Sequence, residues 1–318
     1  MKNTDFNIGK IYSVKEINNI ASAKPGALLE QSDEHFRREI SAVVSRILEK
    51  SSGGGVIMLS GPSSSGKTTT SMMLRRMFEE SGKAAVKISL DDFFLAADQT
   101  PVDEHGKRDF EGVSALNLRE LNRCLKELAE TGECYMPKYD FALKRPSAVR
   151  QHIITRPGGF VIIEGLHAIN PKLTEKINVA NPTKLFLNVE SSVEIDGKIL
   201  NGLTLRMLRR LVRDTRFRSI NADQCLELWD GVVAGERKNI VPFVKNSDII
   251  IDSFHKSEIC VVGARAIPIL LSVSKGCPRY HEAQRLVKLL ERVHKIDLSL
   301  LNNSSLLTEF TGGGSYEY

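Results

Sequence analysis

The chain alternates between short runs that are apolar without interruption and longer stretches in which apolar positions recur every three or four residues. Val56-Ile57-Met58-Leu59 is the first such run, and Ala84 to Leu90, Phe160 to Ile163, Lys184 to Val189 and Asp248 to Ile251 repeat the pattern. Runs this short with no polar face predict strands covered on both sides, as in a parallel sheet. Between them the period changes. Ile40, Val43, Val44 and Leu48 predict a helix from Glu34 to Glu49, and Thr69 to Glu80 is a second helical stretch. Leu118, Leu121, Leu125 and Leu128 form one stripe of a third, from Ala115 to Glu130, preceded by Ser114 and closed by Gly132. Strands separated by helices predict an α/β fold with a doubly wound, mostly parallel sheet flanked by helices.

The rhythm breaks between about residues 134 and 159, where Pro137, Pro146 and Pro157 punctuate two short β-like runs. This segment is expected to be an inserted β-hairpin at the edge of the sheet. The core is then expected over residues 51–255, with an N-terminal helical extension over 1–50 and a C-terminal helical extension and tail over 256–318. The Gly-rich end, Thr311 to Tyr316, is expected not to need order. A length of 318 residues suits two domains or one large α/β unit with additions, and 42% hydrophobic residues suffice for a core without staples.

Cys124, Cys134, Cys225, Cys260 and Cys277 are odd in number and contain no C-x-x-C pair, which fits a reducing, cytoplasmic setting. No signal-like segment opens the chain, and no apolar run reaches the roughly 20 residues of a membrane span. The net charge of +5 does not by itself imply nucleic acid or membrane as partner.

Local chemistry is more telling. Gly61-Pro62-Ser63-Ser64-Ser65-Gly66-Lys67-Thr68 satisfies G-x-x-x-x-G-K-[ST], between the first predicted strand and the helix that opens at Thr69. In that spacing glycines let backbone N–H groups turn toward a phosphate, the helix N-terminus adds partial positive charge, and Lys67 reaches the outer phosphates. Thr68 offers a hydroxyl to Mg²⁺. The fold expected is therefore that of a P-loop NTPase, with ATP as ligand on Gly61, Ser63, Ser64, Ser65, Gly66, Lys67, Thr68 and Thr69.

Two acidic sites follow predicted strands. Asp91 and Asp92 end the second strand, where an open α/β sheet directs side chains into the ligand crevice, and one of them is placed to take the proton of an attacking hydroxyl. Either Asp taken alone is as readily an N-cap or a solvated turn. Glu164 ends the Phe160 to Ile163 run and can orient Mg²⁺ directly or through water. From Leu203 to Ser219 six arginines accompany one acid. At 100° per residue Arg206, Arg209, Arg210 and Arg213 share one side and Leu205, Leu208, Leu211 and Val212 the other, which predicts a helix with one packed face and one face open to anions. Beside a P-loop, such a face reads as an Arg-rich lid over about 203–219.

The ordered set Gly61 to Thr68, Ser89-Leu90-Asp91-Asp92-Phe93-Phe94, Pro137-Lys138-Tyr139-Asp140-Phe141, Glu164-Gly165 and Arg210-Leu211-Val212-Arg213-Asp214 resembles the uridine kinase and phosphoribulokinase family of P-loop kinases, over about Val56 to Ser253. The resemblance implies ATP-dependent phosphorylation of a sugar hydroxyl, in uridine kinases the 5′-hydroxyl of uridine or cytidine. By position it makes Asp91 the general base, Lys67 the triphosphate clamp, Thr68 and Glu164 the Mg²⁺ site, and Arg213, Arg216 and Arg218 the lid, with Arg216 and Arg218 expected to contact ATP. It assigns Glu111 to the ribose hydroxyls and Tyr139 to the base, with Asp92 and Arg210 also expected at the substrate. After Tyr139-Asp140-Phe141 the sequence departs from the family's serine and histidine: Ala142-Leu143-Lys144-Arg145-Pro146 follows. Lys144 and Arg145 open a second reading, a phosphorylated or otherwise anionic sugar as acceptor. The ending Glu309 to Ser315 is similar to that of longer bacterial uridine kinase-like proteins.

A different class is a regulatory nucleotide switch or a nucleotide-dependent RNA-binding NTPase using the arginine face; the sequence shows no N-K-x-D base reader of a GTP-binding switch, and 6% aromatic residues are few for stacking on RNA. Small molecules rather than nucleic acid are the expected partners, with a homo-oligomer left open.

Overall fold

The computed structural model describes all residues except 1–8, 52, 103–105, 107, 110–111, 141–142, 178, 180 and 316–318. In chain order the elements are β1 (Ile11–Ser13), α1 (Val14–Ala23), α2 (Pro25–Lys50), β2 (Gly55–Ser60), α3 (Lys67–Glu80), β3 (Ala85–Ser89), α4 (Leu118–Thr131), β4 (Glu133–Asp140), β5 (Arg145–Ile154) and β6 (Phe160–Glu164). They continue with α5 (Pro171–Thr174), β7 (Thr183–Asn188), β8 (Ser192–Ile195), β9 (Lys198–Leu200), α6 (Gly202–Phe217), α7 (Ala222–Asn239), β10 (Ile249–Asp252), α8 (Glu258–Leu271), α9 (Tyr280–Leu290) and α10 (Thr308–Thr311).

All five strands expected from the apolar runs form one sheet, in the order β10-β7-β2-β6-β3, and every pairing in it is parallel. The uninterrupted apolar character has a direct cause. Ile57 and Leu59 of β2 join Phe36, Leu74 and Phe78 on one side of the sheet, while Met58 between them joins Ile88, Leu121 and Ile163 on the other. Alternate side chains enter different cores, so neither set can be polar. The chain leaves β2 toward β6 and β3 on one side and reaches β7 and β10 on the other. The carboxyl end of β2 is therefore the point where the winding reverses, and there open sheets bind ligands.

Several details depart from the sequence expectation. Helix α2 begins at Pro25, with Leu28, Leu29 and Phe36 buried, well before Glu34. Helix α4 is capped by Asn117, whose side chain accepts from Glu120 N at 3.1 Å, while Ser114 lies in a short 3-10 turn; Gly132 closes the helix at φ 81°, as its lack of a Cβ allows. The hairpin β4–β5 is a two-stranded antiparallel sheet of its own rather than an addition to the central edge. A third sheet, β1-β8-β9, was not foreseen, because the three residues of β1 sit in a polar stretch without alternation.

The two terminal stretches share the central core: Val14, Ile17 and Ile40 from one, and Leu306, Leu307 and Phe310 from the other, belong to the same buried cluster as Ile57 and Leu185. The Gly-rich end is held over its described part, with Gly312 against the Phe217 ring and Ser315 N donating to Asn303 O at 2.8 Å. All five cysteines are buried thiols. Among the described residues no helix is long and apolar enough to cross a membrane.

Candidate active site

The loop from Gly61 to Thr68 turns from β2 into α3 at the reversal point. Gly66 has φ +96° and Ser64 φ +59°, and a Cβ at Gly61 would lie 2.7 Å from the Ser65 hydroxyl. The loop is gripped from outside. Arg206 Nη1 donates to Ser63 O at 3.0 Å, Arg209 Nη1 reaches Ser64 O and Ser65 O at 3.4 and 3.5 Å, and Ser63 N donates to Glu236 at 3.1 Å. With these carbonyls drawn outward, the N–H groups of Gly66, Lys67 and Thr68 at the start of α3 remain as an anion cradle. The hydroxyls of Ser64 and Ser65 are buried beside it with no hydrogen-bond partner among the described residues. Lys67 Nζ donates to Pro62 O at 3.0 Å; burial lowers its pKa, opposed by the carboxylates of Glu164, Asp91 and Glu309.

Asp91 stands in the short turn Leu90–Phe93 that ends β3. Desolvation raises its pKa, to about 6, and Glu164 adds to the rise, while Lys67 and Arg218 oppose it. Glu164 ends β6 in register with Leu59 of β2 and Ser89 of β3; it is buried and accepts from Ser89 Oγ at 2.8 Å, with Lys87 Nζ at 3.8 Å. The next residue must be small: a Cβ on Gly165, at φ +159°, would lie 2.6 Å from Leu90 Cβ. Asp91, Glu164, Lys67 and Arg218 thus share one electrostatic environment at the carboxyl ends of three neighbouring strands. The Thr68 hydroxyl and the Glu164 carboxylate are hard oxygen donors of the kind Mg²⁺ takes alongside phosphate oxygens and water. Among the described residues no group of three or more His, Cys, Asp or Glu is placed to hold a metal ion.

The remaining expected substrate residues are placed differently. Asp92, adjacent to Asp91, is engaged by the hairpin: Tyr139 N donates to Oδ1 at 3.1 Å and Lys138 Nζ lies 3.3 Å from Oδ2. It ties β4 to the turn that carries Asp91. The Tyr139 ring meets Phe94 edge-on at 5.8 Å. Lys144 and Arg145 sit at the exposed hairpin tip, Lys144 at φ +51° with its carbonyl accepting from Ala97 N at 2.9 Å. No hydrogen bond or ion pair among the described residues joins them to Lys67 or Asp91. Glu111 lies outside the described residues.

Helix α6 covers 202–217, and its arginines do not form one open face. Arg206 makes a bidentate ion pair with Glu236 of α7, at 2.8 Å on both arms. Arg209 is fully buried, ion-paired with Glu258 of α8 and stacked over Phe310 at 5.0 Å. The helical wheel places these two side chains correctly but cannot show that α7, α8 and α10 enclose that side. Arg210, Arg213 and Arg218 converge instead on buried Asp214, at 3.3, 2.8 and 3.6 Å, and Arg210 Nη1 also donates to Ser63 Oγ at 2.8 Å. Three guanidinium groups on one carboxylate leave an excess of positive charge beside the loop. Burial and Arg213 lower the pKa of Arg218. Arg216 donates to Thr311 O at 2.6 Å, and Thr69 donates from N and Oγ1 to Glu309, at 3.0 and 2.9 Å. Glu236, Glu258 and Glu309 carry no local signal of a role, since each acts on residues remote in sequence.

The profile of the Phosphoribulokinase / Uridine kinase family matches residues 56–260, more than half of the chain. A uridine kinase of Saccharomyces cerevisiae is 26% identical over 179 residues, covering 55% of this chain and 32% of that protein, so the match spans about a third of the yeast relative. A uridine kinase of Clostridium tetani is 23% identical over 177 residues, covering 55% of this chain and 77% of that one. Among solved structures, phosphoribulokinase from Rhodobacter spheroides aligns at 17% identity with a TM-score of 0.40, over 61% of this chain and 68% of that one.

Proposed function

Because the chain belongs to the Phosphoribulokinase / Uridine kinase family of ATP-dependent phosphotransferases, we propose that it transfers the γ-phosphoryl of ATP to a sugar hydroxyl, that of the 5′-position of uridine or cytidine. The observation that carries this reading is the placement of Lys67, Glu164 and Asp91 at or just past the carboxyl ends of the neighbouring parallel strands β2, β6 and β3, at the mouth of the loop. In it, the amides of Gly66, Lys67 and Thr68 bind the phosphates and Lys67 neutralises the outer ones. Thr68 and Glu164 would hold Mg²⁺, which when bound would offset phosphate charge. Asp91 takes the proton of the acceptor oxygen; a carboxylate with a raised pKa is a stronger base and is still ionised at neutral pH. Arg213 and Arg218, held by Asp214, supply positive charge where the transferred phosphoryl develops negative charge.

An arginine face for RNA is not favoured, since Arg206 and Arg209 are buried in ion pairs and the side chains of Arg210 and Arg213 are each only 14% exposed. The test is a transfer assay with γ-labelled ATP over uridine, cytidine, other nucleosides and sugar phosphates. Label in UMP or CMP supports the proposed acceptor; label only in a bisphosphate product replaces it with an anionic sugar; no transfer to any alcohol removes the kinase reading.

A further inference from the structure

The segment from Ser305 to Ser315 crosses the start of α3 and engages two residues expected to contact the nucleotide. Glu309 is a buried residue, 9% exposed, and its carboxylate accepts both the N–H and the hydroxyl of Thr69, the residue that follows the G-K-T sequence of the loop. Two residues on, Thr311 O accepts from Arg216 Nη1. The segment is fastened on both sides of these contacts: Ser305 Oγ donates to Asp33 Oδ1 at 2.6 Å, Leu306 lies so close that a Cβ on Gly66 would stand 2.7 Å from it, and Gly312 abuts Phe217. Glu309 is also among the charges that act on Lys67.

A carboxylate bonded to a backbone N–H and an adjacent hydroxyl in the first turn of a P-loop helix offers the same donors the same chemistry as a phosphate oxygen. An ordinary helix cap comes from the residue preceding the helix; this one arrives from 240 positions away. Two anions cannot both take the Thr69 donors. We propose that the segment Ser305–Ser315 is an intramolecular competitor of the nucleotide, with Glu309 standing in for a phosphate at Thr69 and Thr311 occupying Arg216, so that nucleotide entry requires the strap to withdraw. The inference rests on the nucleotide site proposed above and adds to it a restraint on access. It couples the phosphate cradle to the arginine helix: withdrawal frees Thr69 and Arg216 together.

The experiment is calorimetric titration of Mg·ADP into the chain of residues 1–318 and into its Glu309→Gln variant, which keeps the side chain's shape and removes its charge. The expected result is tighter binding by the variant, about tenfold, or about 1.4 kcal/mol at 25 °C. In parallel, hydrogen exchange of the unmodified chain should show faster exchange of backbone amides in 305–315 when ADP saturates. That readout holds even should the variant fold poorly. Equal or weaker binding by a folded Glu309→Gln, or strap protection that is unchanged or increased by ADP, overturns the competitor role while leaving the nucleotide site standing. ADP binding by neither protein overturns the nucleotide site itself, and the competitor role with it.

Discussion

Replacing Glu236 by Leu tests the claim that the phosphate loop is held from behind by an ion pair with no role in chemistry. Glu236 and Arg206 are both buried, with side chains 9% and 6% exposed, and the pair is bidentate. Arg206 also lies over the Trp229 ring at 5.7 Å and donates to Ser63 O, while Glu236 accepts from Ser63 N. Removing one partner of a buried pair strands the other charge, at a cost of roughly 3–5 kcal/mol. The double replacement Arg206→Met with Glu236→Leu strands no charge and leaves only the Ser63 amide and carbonyl unpaired, a cost of roughly 1–3 kcal/mol for each group left without a partner. The double variant should therefore unfold at higher urea than Glu236→Leu alone, with a favourable coupling energy of about 1–3 kcal/mol in the cycle and unchanged dependence on denaturant. Because Ser63 loses its tether in both, Mg·ADP affinity should stay reduced in the double variant while part of the stability returns. Additive destabilisation across the cycle, or parental ADP affinity in the rescued protein, would refute the reasoning.

Other outcomes follow from the same geometry. Asp91→Asn should lower phosphoryl transfer by about 10²–10⁴-fold with ADP affinity little changed, as measured by coupled assay and calorimetry. The parent's kcat/KM should fall as pH drops through about 6, where Asp91 gains its proton. The same shift acts on stability: the folded pKa lies above the ordinary 3.8, so the native state loses stability as pH rises from about 4 to about 6. Denaturation curves should show Asp91→Asn gaining on the parent across that window; a gap that does not change with pH would exclude the shift. Lys67→Ala should abolish detectable ADP binding, by the same titration. Gly66→Ala forces a Cβ into a left-handed backbone at φ +96° and against Leu306, so its thermal midpoint should fall, by the equivalent of about 1–3 kcal/mol.

The readable parts of this protein are those whose cause is local. The five strands of the central sheet, the turn at Gly132, the loop from Gly61 to Thr68 and the placing of Asp91 and Glu164 at strand ends all depend on residues within a few positions of one another. A strand covered on both faces must be apolar throughout, and a loop that curls its amides around an anion must have glycine at Gly61 and Gly66, so the constraint is written where it acts. The arginine helix was legible as a helix but not in its wiring. Arg206 finds Glu236 at a separation of 30 residues, Arg209 finds Glu258 at 49, and Thr69 finds Glu309 at 240. An arginine on a helical wheel looks the same whether it awaits a phosphate or closes a buried pair, and Asp92 looks the same as Asp91. Which of these charges stays available was decided by the packing of α7, α8, the hairpin and the C-terminal strap, because a buried charge must be matched by whatever opposite group the completed fold brings within reach.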